Sequence, residues 1–438
     1  MSSLAGKIIL GGAPEGYDAL LLAKEVARAE GSVIHVARDD KRAEGMAQAL
    51  AFLAPDLTVL RFPAWDCLPY DRVSPNPEIA SARMATLAAL AQGVPGPFVL
   101  LTTLSAAQQR VPARDVVAQA SFRATVGRRV DEGALRGWLV RMGFSQSPTV
   151  TEPGDFAIRG GIFDIYPPGE GGPVRLDLFG DVLDGARRFD PATQRSLEKL
   201  QVVEFAPVSE IILDEAAITR FRQNYRIEFG AAGSDDPLYE AVSAGRKHQG
   251  MEHWLPFFHA RLDLLFEYLP GAPVMLDDQC DAARLSRWEG IADQYDARRE
   301  AMRAKGRMDS VYKPCPPELL YLNDAGWNAA LSGRRVLQLS PLRAAPGPGV
   351  LDAGGRTGLS FAPERQAGAN VFDALAAHIR TRLPLGTVLV ASHSAGARER
   401  LSGLLEDHGA PAAQPVGNLR EMGEAGLYLT VWPLDCGF

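Results

Sequence analysis

Over the first 118 residues, short apolar runs alternate with longer segments in which apolar residues recur every three or four positions. The short runs predict strands and the periodic segments predict helices. Strands separated by helices are typical of a parallel sheet with crossover helices. We therefore expect residues 1–118 to form the first part of a doubly wound α/β lobe. The predicted strands are 7–10, 32–37, 57–61 and 98–102, and the predicted helices are 18–29, 41–52 and 77–91.

Between residues 119 and 208 the pattern changes to short segments in which apolar and polar positions alternate. Such alternation predicts strands with one buried face, and a single helix is predicted before them. Tight turns at Gly160-Gly161 and Gly180-Asp181 favour antiparallel pairing. We predict a small α+β domain inserted into the lobe. Its predicted elements are a helix at 131–141 and strands at 155–159, 162–166, 174–179, 182–189 and 200–205.

Helical periodicity returns over residues 209–335, which we expect to be the second part of the lobe, around one buried strand at 273–276. The stretch 344–355 is rich in Pro and Gly and predicts a linker. Residues 350–438 predict a small α/β domain, and its pattern stops abruptly, so we expect a fragment of a longer protein. The predicted helices are 215–225, 237–244, 255–258, 280–305, 369–382 and 395–408, and the last strands are 387–391 and 426–432.

The composition excludes several classes of protein. Hydrophobic residues make up 46% of the chain and charged residues 23%, as in folded globular proteins. The net charge of −7 gives no bulk attraction to nucleic acids or to anionic membranes. No apolar run approaches the roughly 18–20 residues that span a bilayer. We therefore expect a soluble protein that does not contact membranes.

Cysteine and histidine spacing argues against disulfides and metal sites. The four cysteines are far apart, which favours a reducing, cytoplasmic location. His248, His253 and His259 lack the spacing of a helical zinc motif. We predict no metal site in this chain. The cysteines are Cys67, Cys280, Cys315 and Cys436.

Residues 11–18 join the first predicted strand to the first predicted helix, which is where P-loop nucleotide enzymes bind phosphate. Gly11 and Gly16 have the glycine spacing of that loop. Tyr17 and Asp18 stand where the motif has Lys and Ser or Thr, so the cation is lost and a carboxylate would repel polyphosphate. We predict a P-loop-NTPase-like lobe with a degenerate nucleotide site and no cofactor. The alternative is an ATPase-like or helicase-like enzyme that uses this loop.

Two other patterns match catalytic motifs only in part. The strand at 273–276 ends in Asp277-Asp278-Gln279, which is similar to a Walker B strand end, although Gln279 is no general base. Residues 392–396 imitate a nucleophile elbow around Ser394, but the first glycine is missing and only His408 follows. We expect a solvated loop and a helix cap at these places. No catalytic residue is predicted.

The inserted domain presents a candidate interaction surface. Alternation over 174–179 turns the aliphatic residues to one face and Arg175 and Phe179 to the other. Arg159 also faces outward at the end of the strand 155–159. An aromatic residue flanked by arginines on a sheet face is typical of protein interfaces. The alternative is that Phe179 packs beneath a loop and that nearby aspartates pair with the arginines. These aspartates are Asp177 and Asp181.

Four longer motifs stand in a fixed order along the chain. They are 62–71 (FPAWDCLPYD) with 74–78 (SPNPE), 153–169 (PGDFAIRGGIFDIYPPG), 175–181 (RLDLFGD) and 250–256 (GMEHWLP). Together they closely resemble the N-terminal part of the bacterial transcription-repair coupling factor (Mfd) family. The resemblance covers essentially the whole chain.

The resemblance implies a module similar to the excision-repair protein UvrB, with an inactive nucleotide site, followed by a small α/β domain. It implies that the insert binds the repair protein UvrA through Arg159, Arg175 and Phe179. The family's RNA-polymerase-binding domain and its DNA translocase motor, with its ATP and magnesium, would lie outside this chain. We therefore expect a non-catalytic recruitment module that brings nucleotide excision repair to stalled RNA polymerase.

One departure from UvrB concerns DNA. UvrB clamps a DNA strand beneath a long hairpin rich in tyrosines, whereas the segment after Phe62 is short and interrupted by prolines. Its aromatic residues are Trp65 and Tyr70. Too few rings are present for a stacking platform, so we expect no direct probing of damaged DNA by this segment.

Overall fold

The computed structural model describes residues 6–169, 171–230, 236–303, 312–343, 345 and 347–438. Among these residues the largest sheet has seven strands, all parallel. Side by side they are β17 (Val350–Asp352), β1 (Lys7–Gly11), β16 (Val336–Ser340), β15 (Val274–Leu276), β2 (Ser32–Ala37), β4 (Phe98–Thr103) and β3 (Thr58–Phe62). The predicted parallel α/β sheet is therefore confirmed.

Helices cover both faces of this sheet because successive strand residues point to opposite sides. Val33 of β2 packs with two helices on one face, α1 (Tyr17–Ala29) and α2 (Asp40–Leu53). Ile34 packs on the other face with a second set of helices. That set comprises α3 (Pro77–Gln92), α4 (Leu104–Ala107), α5 (Arg114–Ala120), α10 (Cys280–Arg303) and α12 (Asp324–Leu331).

The inserted region forms a second sheet of six strands with its own apolar core. In sheet order these are β12 (Ser196–Leu200), β11 (Val182–Phe189), β10 (Val174–Phe179), β9 (Ile162–Ile165), β8 (Asp155–Arg159) and β7 (Ser145–Gln146). Strands β8 to β12 are antiparallel, and β7 runs parallel to β8. The helix α6 (Glu132–Arg141) and the antiparallel pair β6 (Phe122–Thr125) and β13 (Val202–Phe205) complete this core.

Two smaller units complete the chain. An aromatic cluster around Phe221 and Trp254 holds together the helices that follow the insert. The C-terminal unit is a three-stranded parallel sheet flanked by helices, and its Trp432 stacks on Phe52 of α2 with ring centroids 5.2 Å apart.

The remaining elements are β5 (Arg110–Pro112), α7 (Glu215–Phe229), α8 (Pro237–Ser243), α9 (Leu255–Phe258), β14 (Leu262–Leu264), α11 (Pro317–Leu320), α13 (Ala362–Gln366), α14 (Val371–Arg382), β18 (Val388–Ser392), α15 (Ala395–Asp407), β19 (Gln414–Pro415) and β20 (Leu427–Val431), with short 3₁₀ turns at Met251–Trp254, Leu265–Tyr268, Leu383–Leu385 and Leu419–Glu421.

The structure adds strands that the sequence pattern did not predict, and two of them belong to the main parallel sheet; the added strands are β5, β6, β7, β12, β14, β16, β17 and β19. The strand β16 lies between β1 and β15, and β17 falls within the stretch 344–355 that was predicted to be a linker. β17 has only three residues, and its place depends on parallel pairing with β1, which local periodicity does not report. The predicted helix 280–305 ends at Arg303 among the described residues, and its last two positions lie outside them. The predicted domain boundaries stay predictions.

No helix in the described part of the chain combines the length and the apolar character needed to cross a membrane.

Candidate interaction site and the 11–18 loop

Two tight hairpins place the candidate interaction residues at one end of the inserted sheet. Gly160-Gly161 joins β8 to β9, and Gly180-Asp181 joins β10 to β11. Because β9 and β10 are antiparallel, the two turns lie at the same end. Arg159 pairs directly with Ile162, and Phe179 ends the neighbouring strand. We call Arg159, Ile162 and Phe179 the hairpin tip.

Backbone contacts hold the two hairpins against each other. The Leu178 N–H donates to the Gly161 carbonyl oxygen at 2.8 Å and joins the two hairpins, while the Val130 N–H donates to the Asp181 carbonyl oxygen at 2.8 Å and ties the second hairpin to the segment before α6. A Cβ atom on Gly161 would overlap the Leu178 carbonyl oxygen, so only glycine fits at this close approach. The tip is thus a fixed piece of sheet, and its side chains are displayed on an ordered backbone.

The side chains of the tip are turned to solvent. Phe179 is 84% exposed and Ile162 is 38% exposed, which makes a small apolar patch on the outer face. The exposed Arg159 donates from Nη2 to the Pro148 carbonyl oxygen at 2.6 Å. Beside it lies a shallow concavity lined by Gln146, Ser147, Pro148, Ala157, Ile158 and Arg159.

Arg175 lies on the same face but is held more tightly. Its Nε and Nη2 donate to the two carboxylate oxygens of Asp164 at 2.6 and 2.9 Å. Its guanidinium carbon lies 4.8 Å from the centre of the Phe189 ring. The hydrogen bonds that Arg175 donates to Asp164 raise the pKa of Arg175, so the guanidinium stays charged. The side chain of Arg175 keeps 18% exposure, whereas that of Asp164 is buried.

Part of the outward face of the sheet is covered, contrary to the expectation of an open face. Val150 and Phe189 are buried together with Ala157 in a small cluster on this side. The segment before β8 folds back over the sheet at this point, because these apolar side chains would otherwise lie in water. The open part of the face includes the hairpin tip, the edge of Arg175 and the neighbouring pair of Asp177 and Arg187.

The predicted outward orientation of Arg159, Arg175 and Phe179 is observed, and the alternative packing is not. Phe179 does not lie beneath a loop. Asp177 pairs with Arg187, and Asp181 pairs with Arg129 at 2.8 Å. The sequence pattern missed Ile162 and Asp164, although alternation within 162–165 places both on the outward face. Their proximity to Phe179 and Arg175 depends on the strand register.

The loop at residues 11–18 is organised around a buried arginine. Asp18, at the start of α1, accepts from the Gly16 N–H at 2.9 Å and pairs with Arg42 Nη2 at 2.5 Å. Arg42 also contacts Asp277 at 3.1 Å and Glu15 at 2.8 Å, and its side chain is 6% exposed. We call Arg42, Glu15, Asp18 and Asp277 the Arg42 cluster. The Arg42 guanidinium therefore bridges the 11–18 loop, through Asp18, and the segment that is similar to a Walker B strand end, through Asp277.

Burial and charge act against each other in the Arg42 cluster. Burial raises the pKa of Asp18 to about 6, although Arg42 opposes the shift. Burial also acts to raise the pKa of Asp277, but the hydrogen bonds and the charge of Arg42 outweigh it and hold that pKa below its usual value. The carboxylates in turn raise the pKa of Arg42 against the effect of burial. Arg42 is therefore a permanent counterion for this cluster.

Other parts of the chain cover the 11–18 loop. The Tyr17 hydroxyl donates to the Ala353 carbonyl oxygen at 2.8 Å. A Cβ atom on Gly16 would overlap the Phe438 ring, and one on Gly355 would overlap the Tyr17 ring. Gly16 has φ +89°, so glycine is required there by conformation as well as by space. The loop is thus closed over by residues 352–356 and 434–438.

The segment 392–396, which was compared with a nucleophile elbow, does not bring Ser394 and His408 together. Ser394 accepts from the Ala397 N–H at 3.2 Å and caps α15. His408 lies at the other end of this 13-residue helix, about 20 Å away at 1.5 Å per residue. His408 pairs instead with Asp373 at 2.6 Å. Ser394 has no histidine placed to activate it through this helix.

The remaining candidate side chains are used inside the fold. His253 is buried, and His259 Nε2 lies 2.8 Å from the Glu210 carbonyl oxygen. Among the described residues, no three His, Cys, Asp or Glu side chains are placed to share a metal ion. The Trp65 Nε1 donates to Glu210 at 2.8 Å, and Tyr70 is buried. Neither aromatic residue of the segment after Phe62 projects as a stacking platform.

Comparison with known proteins agrees with the motifs. Residues 122–211 match the family described as the UvrB interaction domain. The chain is 31% identical over 317 residues to the transcription-repair-coupling factor of Haemophilus influenzae, and 32% identical over 350 residues to that of Myxococcus xanthus. The chain is a relative of the transcription-repair-coupling factors. That of Escherichia coli is 29% identical over 421 residues.

These alignments cover most of this chain and a minor part of its relatives. They include 72%, 75% and 96% of the chain, and 27%, 28% and 36% of the Haemophilus, Myxococcus and Escherichia factors. The resemblance to the N-terminal region of the coupling factors, predicted from the four motifs, is confirmed. The hairpin tip and Arg175 all lie inside the segment that matches the UvrB interaction domain.

Proposed function

We propose that this chain is a non-catalytic recruitment module that binds UvrA through the hairpin tip and Arg175. The observation that carries the proposal is Phe179, which is 84% exposed on a hairpin fixed by hydrogen bonds. It lies within the segment that matches the UvrB interaction domain. Binding of UvrA by this segment brings excision repair to RNA polymerase that has stalled, in keeping with the name of the coupling factor relatives.

The chemistry of the tip suits a protein partner. A phenyl ring held in water gains free energy when a partner buries it, and aromatic and arginine residues dominate the energetics of most interfaces. The backbone around Phe179 is already ordered, so binding costs little further conformational entropy. Arg159 and Arg175 supply charged donors on the same sheet face, which favour a partner surface with oxygen acceptors.

We further propose that the 11–18 loop is a degenerate nucleotide site. Tyr17 and Asp18 stand where a nucleotide enzyme needs Lys and a hydroxyl residue. Arg42, the cation nearest to Asp18, already contacts three carboxylates, and residues 352–356 cover the loop. ATP hydrolysis, DNA translocation and polymerase binding then belong to regions of the parent protein outside this chain, and the location is cytoplasmic.

Calorimetric titration with UvrA tests the recruitment function. We expect Phe179→Ala to weaken binding by about thirtyfold, or about 2 kcal/mol, as for an interface hot spot. Arg159→Ala and Arg175→Ala should weaken binding as well. The matched control is Leu197→Ala, because Leu197 is 62% exposed on β12 at the far side of the same sheet. Equal affinities of the wild-type chain, Phe179→Ala and Arg175→Ala would contradict the proposal.

Titration with ATP and magnesium tests the alternative function. We expect no saturable binding in the micromolar range, because Tyr17 stands where the motif has the lysine that reaches the β- and γ-phosphates. Micromolar binding that is abolished by Gly16→Val would support a nucleotide-dependent enzyme and overturn the assignment of a degenerate site. Circular dichroism of the Gly16→Val variant controls for unfolding, since Gly16 also contacts Phe438.

A further inference from the structure

Asp164 and Arg175 form a cross-strand pair whose geometry is fixed on every side. They are directly opposite each other in β9 and β10. The bidentate contact uses both oxygens of Asp164 and the Nε and Nη2 of Arg175. The Phe189 ring lies beneath the guanidinium plane, 4.8 Å from its carbon. Bidentate pairing and stacking together define both the direction and the plane of an arginine side chain.

The next strand makes this pairing necessary. Arg187 of β11 is directly opposite Arg175 on its other side. Like charges at directly opposed positions repel. Arg187 is drawn instead to Asp177, which has Gly185 opposite to it and therefore room for the contact. Each arginine thus has its own carboxylate, and Asp164 keeps Arg175 away from Arg187.

The pair leaves one edge of Arg175 available. In the part of the chain that the structure describes, its Nη1 has no hydrogen-bond partner, while Nε and Nη2 are both engaged. The arginine retains some exposure on the face that carries the hairpin tip. We propose that Asp164 is a positioning residue, which holds Arg175 so that its free edge donates to an oxygen acceptor of UvrA. This inference rests on the proposed function.

Positioning has a measurable consequence for affinity. A free arginine loses rotamer freedom when it binds, and this loss weakens association. Arg175 has already lost that freedom in the unbound chain, because Asp164 and Phe189 restrain it. Removing the charge of Asp164 releases the guanidinium and exposes it to repulsion from Arg187. The Asp164 side chain itself is buried, so its effect on a partner must pass through Arg175.

A double-mutant cycle tests the inference by calorimetry with UvrA. We expect Asp164→Asn to weaken binding about tenfold in the wild-type background and to have no further effect in the Arg175→Ala background. A merely structural role would weaken binding by the same factor in both backgrounds, and that result would overturn the proposal. The matched control is Asp184→Asn, the same change at an exposed position of β11, which should leave affinity unaltered.

A second variant keeps the test decisive if Asp164→Asn does not fold. Arg175→Lys retains the charge but loses bidentate pairing and planar stacking, so we expect it to bind as weakly as Arg175→Ala. Wild-type affinity of Arg175→Lys would overturn the positioning role and leave the recruitment function intact. Failure of the wild-type chain to bind UvrA would refute the recruitment function and the positioning role with it.

Discussion

Arg42 and Arg175 are both paired with buried aspartates, yet they belong to regions with opposite relations to solvent. Arg42 contacts three carboxylates, and its side chain is 6% exposed. Arg175 contacts one carboxylate, keeps 18% exposure and lies on the same face as the exposed Phe179. In the 11–18 loop, Glu15 and Asp18 both pair with Arg42. In the inserted sheet, by contrast, one edge of the Arg175 guanidinium and the ring of Phe179 remain exposed to solvent.

This difference shows how the two regions contribute. Buried charges that pair with one another depend on the packing of the lobe, and removing one of them leaves the others without a counterion. The Phe179 ring is 84% exposed on the sheet face that also carries Arg175, so an external surface that buries the ring gains free energy. Changes in the Arg42 cluster should therefore alter stability and spare affinity for UvrA, and changes at the hairpin tip should do the reverse.

The largest effect is expected from Arg42→Met. The change leaves Asp18 and Asp277 buried without a counterion, which should lower the free energy of unfolding by at least about 3 kcal/mol. Urea unfolding followed by circular dichroism measures this loss. Lys41→Met is the control, because Lys41 is the neighbouring residue and its pair with Asp435 is exposed. Equal stability of the two variants would contradict the role of the Arg42 cluster.

The next largest effect on stability is expected where Gly161 of one hairpin approaches Leu178 of the other. Gly161→Ala should destabilise the inserted sheet by about 2 kcal/mol, because a Cβ atom there overlaps the Leu178 carbonyl oxygen. Faster hydrogen exchange across residues 174–179 and weaker UvrA binding are the expected readouts. Gly160→Ala is the control: it has φ +61° but no atom near its Cβ position, so the cost is about 1 kcal/mol of backbone strain. Equal hydrogen exchange and equal UvrA affinity of the two variants would contradict the role of the close approach between Gly161 and Leu178.

Local periodicity predicted most of the lobe because its strands are short apolar runs between amphipathic helices. It failed for β16 and β17, whose places depend on pairing with β1 across more than 300 residues of chain. In the insert, alternation turned Arg159, Arg175 and Phe179 outward correctly. The sequence does not reveal strand register, so Asp164 as the partner of Arg175 emerged only from the structure.

The sequence pattern also could not predict that residues 352–356 and 434–438 cover the 11–18 loop. The missing lysine is visible in the motif, but the contacts of Tyr17 with residues 353–355 join distant parts of the chain. Arg42 was not singled out either, because an arginine in the first turn of a helix is ordinarily solvent-exposed. Only tertiary packing brings it between Asp18 and Asp277.

A smaller effect is expected from pH in the loop region. Burial raises the pKa of Asp18 in the folded chain from 3.8 to about 6. At pH values between these two, Asp18 therefore binds a proton in the folded chain and not in the unfolded chain. The contribution of Asp18 to stability should therefore rise by about 1 to 2 kcal/mol as the pH falls from 7 to 5. The wild-type chain should gain this much relative to Asp18→Asn in urea unfolding at the two pH values. Parallel pH dependence of the two proteins would contradict the shift.

The smallest effect sharpens the boundary of the hairpin tip. Ile162 pairs directly with Arg159 and lies diagonally from Phe179 across β9 and β10, so a partner that covers both of those residues also covers Ile162. Its side chain is 38% exposed, which leaves a modest apolar area to be buried. Ile162→Ala should weaken UvrA binding about fivefold, or about 1 kcal/mol, with little change in unfolding.

The control for this last change is Val140→Ala, since Val140 is an aliphatic residue of α6 in the same domain, is 57% exposed and lies outside the tip. A greater loss from Val140→Ala than from Ile162→Ala would move the UvrA surface to the helical side of the insert. A loss from Ile162→Ala alone would define one continuous surface from Arg159 to Phe179, with both hairpins contributing to it. The close approach at Gly161 would then serve recognition as well as folding, because it sets the spacing of the two hairpins.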